Sequence, residues 1–268
     1  MSLGIFAYWR CLQGIVWREG LRFLQQRGRF IAALVRPLLW LFVFSVGFRS
    51  VLGLAIDEPY ETYVPYEIYI IPGLLGMIQL FNGMQASLSM VYDREMGSMR
   101  SLLVSPFPRW FLLLSKLFAG VFISLIQVFI FLAIAYVWGI KQPLSGYLTV
   151  IPALILSGMM VGSLGLLLSS LIKQLENFAG VMNFVIFPMF FMSSALYPLW
   201  QIKESSQLLY LLCQLNPFTY AVEFIRFGLY GQFNLEAFLV LCSATIVFVS
   251  LAVFAYNPSK GLITRRGG

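Results

Sequence analysis

Long uncharged windows recur along the chain, and they predict a bundle of membrane-crossing helices. Residues 68–92, 117–140, 142–172, 177–202 and 237–259 contain no Asp, Glu, Lys or Arg. Each reaches the roughly 20 mostly apolar residues that a helix needs to cross the hydrocarbon core. A sixth window, 37–48, becomes long enough when Arg36 and Arg49 at its ends carry their charged tips to the two interfaces. A seventh, 205–222, is interrupted by Asn216-Pro217, where the missing N–H and the restricted preceding residue break a helix. The predicted fold is therefore all-α and integral to the membrane, with six transmembrane helices and a re-entrant helical hairpin at 203–222 between spans five and six. Non-helical backbone is tolerated at that depth where protein buries it. A helix lying on the outer leaflet is the alternative reading of that segment.

Before the first window the pattern changes. Ile5, Trp9, Leu12, Val16 and Phe23 recur near helical spacing while Arg10, Arg18, Arg22, Gln25 and Gln26 fill other positions. This predicts an amphipathic helix over residues 1–28 on the cytoplasmic leaflet, ahead of a six-span domain over 29–268. Arg10 and Arg18 interrupt the continuous apolar run that a signal peptide would need. Arg10, Arg18, Arg22, Arg27, Arg29 and Arg36 precede the first span, whereas the next loop holds Asp57, Glu58, Glu61 and Glu67. Cytoplasmic loops are enriched in Lys and Arg, so the N-terminus is predicted inside. Six spans return the tail with Lys260, Arg265 and Arg266 to the same side, which makes both termini cytoplasmic and leaves Arg49, Lys141, Lys203 and Arg226 as the outer basic residues.

Composition narrows the chemistry. Of the 268 residues, 60% are hydrophobic and 11% charged, far from the roughly 25% charged content of a soluble domain. The absence of His excludes His-based proton relays, Ser-His triads and HExxH zinc sites. Three cysteines without CxxC spacing indicate neither a disulfide framework nor a metal cage, and mostly buried free thiols are expected. No catalytic set and no metal site is predicted. The formal charge of +7 is accounted for by loop topology, and nucleic acid is not an expected partner.

Small and polar residues inside the windows mark faces that meet protein. Gly158, Gly162, Gly165 and Ser169 share one helix face, as a close-packed seam requires. Gly76, Gln79, Gly83 and Ala86 make a second stripe with Asn82 and Gln85 beside it, and amides are costly against lipid tails. Gln79 and Asn82 are therefore candidates for a pathway, together with the aromatics Phe187, Phe190, Phe191 and Tyr197 of a fifth span that Pro188 and Pro198 bend or break. Those aromatics suit a hydrophobic gate or interfacial anchoring equally.

The stretch 93–109 between the second and third spans is denser in signals. Met96, Met99, Leu102 and Leu103 sit at helical spacing, and Pro106 and Pro108 stop that predicted helix before Trp110. Asp93-Arg94-Glu95-Met96-Gly97-Ser98 followed by Ser105-Pro106-Phe107-Pro108 resembles the coupling region of ABC-2 type transporter permeases, with its D/E-R-E-x-G-[ST] start and [ST]-P-x-[PS] exit. Asn216-Pro217-Phe218-Thr219-Tyr220 with Glu223 and Arg226 is similar to the same family's N-P-[FLM]-[ST]-Y-x-x-[DE]-x-x-R segment. Arg100 departs from the pattern, since many members are acidic there.

The resemblance implies a permease of a bacterial inner-membrane exporter that forms a homodimer or pairs with a close relative in lipid. Two separate ATPase subunits would bind ATP and Mg, because this chain carries no G-x-x-x-x-G-K-[ST] loop and no cofactor of its own. Asp93, Arg94, Glu95, Gly97, Ser98 and Arg100 would supply polar and backbone contacts to the ATPase, and Met96, Met99, Leu102 and Leu103 apolar ones. The expected substrate is a hydrophobic or amphipathic small molecule, with a lipid-linked glycan as the alternative. A secondary transporter would place ionisable groups mid-membrane, and a membrane-embedded enzyme would cluster catalytic residues; neither pattern is seen in the sequence.

Overall fold

The computed structural model describes residues 4–25, 27–48, 53–54, 59–60, 64–95, 106–172 and 174–255. Helix α1 (Ile5–Gln25) precedes α2 (Arg27–Phe48). A two-residue antiparallel ribbon, β1 (Gly53–Leu54) paired with β2 (Val64–Pro65), leads through the one-turn α3 (Tyr66–Tyr69) into α4 (Ile71–Glu95). Then come α5 (Arg109–Val137), α6 (Gly146–Leu171) and α7 (Leu175–Phe191). Three shorter helices, α8 (Leu199–Ser205), α9 (Gln207–Leu215) and α10 (Pro217–Leu229), are followed by α11 (Leu235–Ala255).

Three helices are long and apolar enough to cross a membrane: Trp110–Val137, Gly146–Leu171 and Leu235–Ala255, with mean hydropathies of 2.7, 2.1 and 2.6. The pair α9 and α10 qualifies jointly but is bent by 78°, as the Asn216-Pro217 break predicts. The remaining windows are helical but weaker by this measure. Helix α4 runs for 25 residues, yet Gln79, Asn82 and Gln85 dilute its apolar character. The stretch Leu34–Phe44 of α2 is short. The window 177–202 is two helices, because α7 ends three residues after Pro188 and α8 opens after Pro198. The described residues thus establish an all-α membrane protein with three such spans, or four if the bent pair counts as one.

Helix α6 is the centre of the molecule. It packs against α4, α5, α10 and α11, and it is apolar all round, as a helix enclosed by others should be. The two glycine stripes meet each other there. A Cβ on Gly83 would lie 3.1 Å from Gly162 Cα, and one on Gly165 would lie 2.8 Å from Gly83 O. The α4–α6 seam therefore lies within one chain, with backbones close enough to exclude side chains. Helix α1 stands apart: none of its residues is buried. It leans on the start of α5 through Tyr8, whose ring packs edge-on against Phe107 and Phe111 at 5.1 and 4.9 Å. Trp9, Trp17 and Leu24 stay exposed. The thiols are free, but only Cys213 is buried while Cys11 and Cys242 are half-buried, less burial than the sequence predicts.

Candidate functional site

The predicted pathway residues fall into two separate places. Gln79 and Asn82 line a cleft of about 70 Å³ between α1, α4, α5 and α6. Both are buried, at 2% and 8% exposure, so the amides face protein as their cost in lipid demands. Gln79 Nε2 donates to Leu154 O at 2.6 Å, and Asn82 Nδ2 donates to Gln127 Oε1. Gln79 Oε1 and Gln127 Nε2 are buried without a partner. Gln127 is legible by the same rule as Asn82, an amide inside an uncharged window. Glu19, Arg22 and Lys116 also line the cleft; no periodicity links these residues of α1 and α5, so the sequence offers no signal for their meeting.

The aromatics lie elsewhere. Phe190 is buried, 5.5 Å from Phe191 and 6.3 Å from Phe218, and Trp40 of α2 meets Phe190 and Phe191 at 6.4 and 6.0 Å. Phe187 stacks on Phe191 at 6.3 Å and remains half exposed. Tyr197 is exposed in the break between α7 and α8. These rings join α2, α7 and α10, and none of them lines the cleft.

The segment 216–226 has a definite task in the structure, which is to close the break after α7. A broken helix leaves carbonyls without intrahelical donors, and lipid offers none. Asn216 Nδ2 donates to Met189 O and Met192 O at 2.7 and 2.6 Å, while its Oδ1 accepts from Phe218 N at 3.0 Å and so caps α10. Pro217 occupies the first turn of α10, where its missing N–H costs nothing. Arg226 Nη2 donates to Ser194 O at 2.8 Å, Arg226 Nη1 to Glu223 Oε1, and the guanidinium lies 4.2 Å from the centre of the Tyr69 ring. Tyr69 and Tyr66 donate to Ser194 O and Leu196 O at 3.2 and 2.9 Å. Beside them, burial pushes the Tyr60 hydroxyl above the ordinary phenol range, which keeps it neutral. Ser194, Tyr66 and Tyr69 gave no signal in the sequence.

Of the predicted ATPase-contact residues, Asp93, Arg94 and Glu95 form the last turn of α4. Met96, Gly97, Ser98, Met99, Arg100, Leu102 and Leu103 lie outside the described residues. Pro108 is the N-cap of α5, in extended conformation, and the helix starts at Arg109; the helix that Pro106 and Pro108 are predicted to stop lies outside the described residues.

A polytopic α-helical membrane protein in which the break after α7 is clamped by an Asn-Pro and Arg segment is the class these observations define. The chain belongs to the ABC-2 type transporter family, whose model matches residues 10–230. Over 222 residues it is 30% identical to the transport permease ycf38 of Porphyra purpurea, covering 81% of this chain and 72% of that protein. It is 29% identical over 229 residues to ycf38 of Pyropia yezoensis, covering 83% and 75%. Permease YbhR of Escherichia coli (strain K12), named for a multidrug ABC transporter, is 31% identical over 136 residues, 50% of this chain and 37% of that one. Members of this family are transmembrane subunits without their own ATPase domain, so membership implies a transport permease of an ABC transporter.

Proposed function

We propose that the chain is the permease subunit of an ATP-driven exporter, working as a homodimer with two ATPase subunits in a bacterial cytoplasmic membrane. Family membership over 10–230 carries this reading. Six spans would be α2, α4, α5, α6, α7 with α8, and α11, and the pair α9–α10 a re-entrant hairpin. The 78° bend and the buried clamp on the α7–α8 break support the hairpin. The cargo is hydrophobic or amphipathic, which agrees with the apolar walls between the helices and with the multidrug name of one relative; a lipid-linked glycan is the other cargo the fold would suit.

Both termini and the 93–109 segment face the cytoplasm in this reading. In a Cys-free variant, single cysteines at positions 57 and 204 react with an impermeant maleimide in intact cells, whereas those at 95, 174 and 265 react only after permeabilisation. Labelling of 265 from outside would mean that 205–222 crosses the membrane.

The residues 93–104 dock the ATPase and convert its closure into movement of the spans. Replacing both Leu102 and Leu103 by Ala removes apolar area worth about 2–3 kcal/mol at a buried interface. The double variant inserts normally but copurifies with at least about tenfold less ATPase subunit. Glu95→Gln, which keeps shape and removes a charge, lowers transport-linked ATP hydrolysis. Wild-type copurification and hydrolysis in both variants would reduce this loop to a topogenic one.

A further inference from the structure

The sequence reads Arg36 as carrying its charge to the membrane edge, but the structure holds it elsewhere. Its guanidinium carbon lies 3.8 Å from the centre of the Phe81 ring, whose electron-rich face attracts a cation. Phe81 is buried near the middle of α4, about 15 Å along the axis from Ile71 and about 21 Å from Glu95. Gln79 and Asn82, on either side of it in sequence, bond to Leu154 and Gln127 in the interior stretches of α6 and α5. The charge therefore stands at mid-depth in the bundle. Arg36 is exposed on the surface of the chain, and among the described residues the ring is its one partner: no carboxylate pairs with it and no acceptor takes its N–H groups. A ring face offsets only part of the cost of a charge in hydrocarbon, so an anion completes the site. A second copy of this chain cannot supply it. Helix α2 and the five uncharged windows hold none of the 11 acidic residues, and Glu223 is already paired with Arg226.

We propose that Arg36 receives the anionic head of an amphipathic cargo whose apolar body lies along the rings of α7. Trp40, one turn beyond Arg36 on α2, meets Phe191 of α7 edge-on at 6.0 Å, and Phe187, one turn before Phe191, stacks on it at 6.3 Å. Arg36 and Phe187 thus flank one bay, each a turn before the contact that joins the two helices. Phe187 and Phe191 are 49% and 42% exposed, as rings that face a guest rather than a core. Asn183 continues the face of Phe187 a turn further back. Its amide is exposed and has no partner among the described residues, and an amide is costly against lipid tails. A cation and an amide on one aromatic bay suit an oxyanion with an aromatic or aliphatic body behind it, and the cation repels an ammonium head. Arginine keeps its proton in proteins, so the site selects by fixed charge and couples no proton gradient. The inference rests on the exporter reading in treating the guest as cargo, while the binding site itself lies in one chain.

The test needs no ATPase. The full chain in phosphatidylcholine nanodiscs is photolabelled with an octylnaphthalene sulfonate carrying a diazirine on its chain, and with its neutral methylsulfonamide and its trimethylammonium analogue at equal membrane mole fraction. The sulfonate labels peptides around Arg36 and Phe187 at least about tenfold more than the sulfonamide, the effect of a charge-assisted hydrogen bond in an apolar setting. Arg36→Gln abolishes that preference without stranding a carboxylate. Arg36→Lys keeps the charge but not the planar fork, so it retains part of the preference and keeps the result readable if glutamine disturbs folding. Phe187→Leu weakens labelling by sulfonate and sulfonamide alike. Equal labelling by those two probes, stronger labelling by the ammonium probe, or a preference that survives Arg36→Gln would overturn the proposal. So would labelling confined to the helix ends, the result expected if the arginine reaches a lipid phosphate instead. Each of these failures leaves the exporter reading standing, and failure of the coupling prediction leaves this site standing.

Discussion

Replacing Arg226 by Leu destabilises the folded chain by about 3–5 kcal/mol, the usual cost of leaving one partner of a buried ion pair alone. The Arg226 side chain is 4% exposed and its Glu223 partner 16%. The guanidinium also donates to Ser194 O, a carbonyl at the break between α7 and α8. Leucine therefore strands a mostly buried carboxylate and removes a donor from backbone that lipid cannot satisfy. Arg226→Lys keeps the charge but loses the planar fork that reaches Glu223 and Ser194 together, so its loss is smaller. Removing both charges with Arg226→Leu and Glu223→Leu recovers part of the stability, because the stranded carboxylate goes as well. Unfolding in mixed micelles with increasing dodecyl sulfate measures all three. A loss below about 1 kcal/mol for Arg226→Leu would mean that water reaches this pair in the working protein.

Gly73→Ala costs about 1–3 kcal/mol, whereas Gly162→Ala, on a stripe that the sequence marks more plainly, costs less. A Cβ at Gly73 would lie 2.4 Å from Ala195 O and 2.7 Å from Ala195 Cα, both backbone atoms that cannot yield without moving the turn after α7. At Gly162 the obstacle is Leu117 Cδ1 at 2.5 Å, the tip of a side chain that can rotate. A Cβ at Gly180 meets nothing within 4 Å, so Gly180→Ala gains helix propensity at no packing cost. Thermal melts of the three variants in one detergent test the order. Equal losses at 73 and 162 would show that Leu117 is held as firmly as backbone.

Much of this fold is legible from the chain alone, because the controlling costs are local. A charge inside lipid is expensive, so uncharged windows locate α4, α5, α6, α7 and α11. Proline denies its N–H and crowds the preceding residue, so Pro188, Pro198 and Asn216-Pro217 mark the actual helix ends and bends. Amides are rare in spans for the same reason as charges, and this singles out Gln79 and Asn82 in the sequence.

Which faces meet was decided only in three dimensions. The glycine stripes announce close approach but carry no address, and only the packed helices reveal that Gly83 and Gly162 are opposed within one chain. The clamp on the α7–α8 break is assembled from Asn216, Arg226, Tyr69 and Tyr66, which lie 24 to 130 residues from the carbonyls they satisfy. Likewise the cleft is lined jointly by α1, α4, α5 and α6. Transfer into lipid and helical hydrogen bonding depend on neighbours in sequence, and the chain encodes them window by window. Side-chain pairing across helices depends on their rotation and depth relative to one another, and those are set by the packing of the whole bundle.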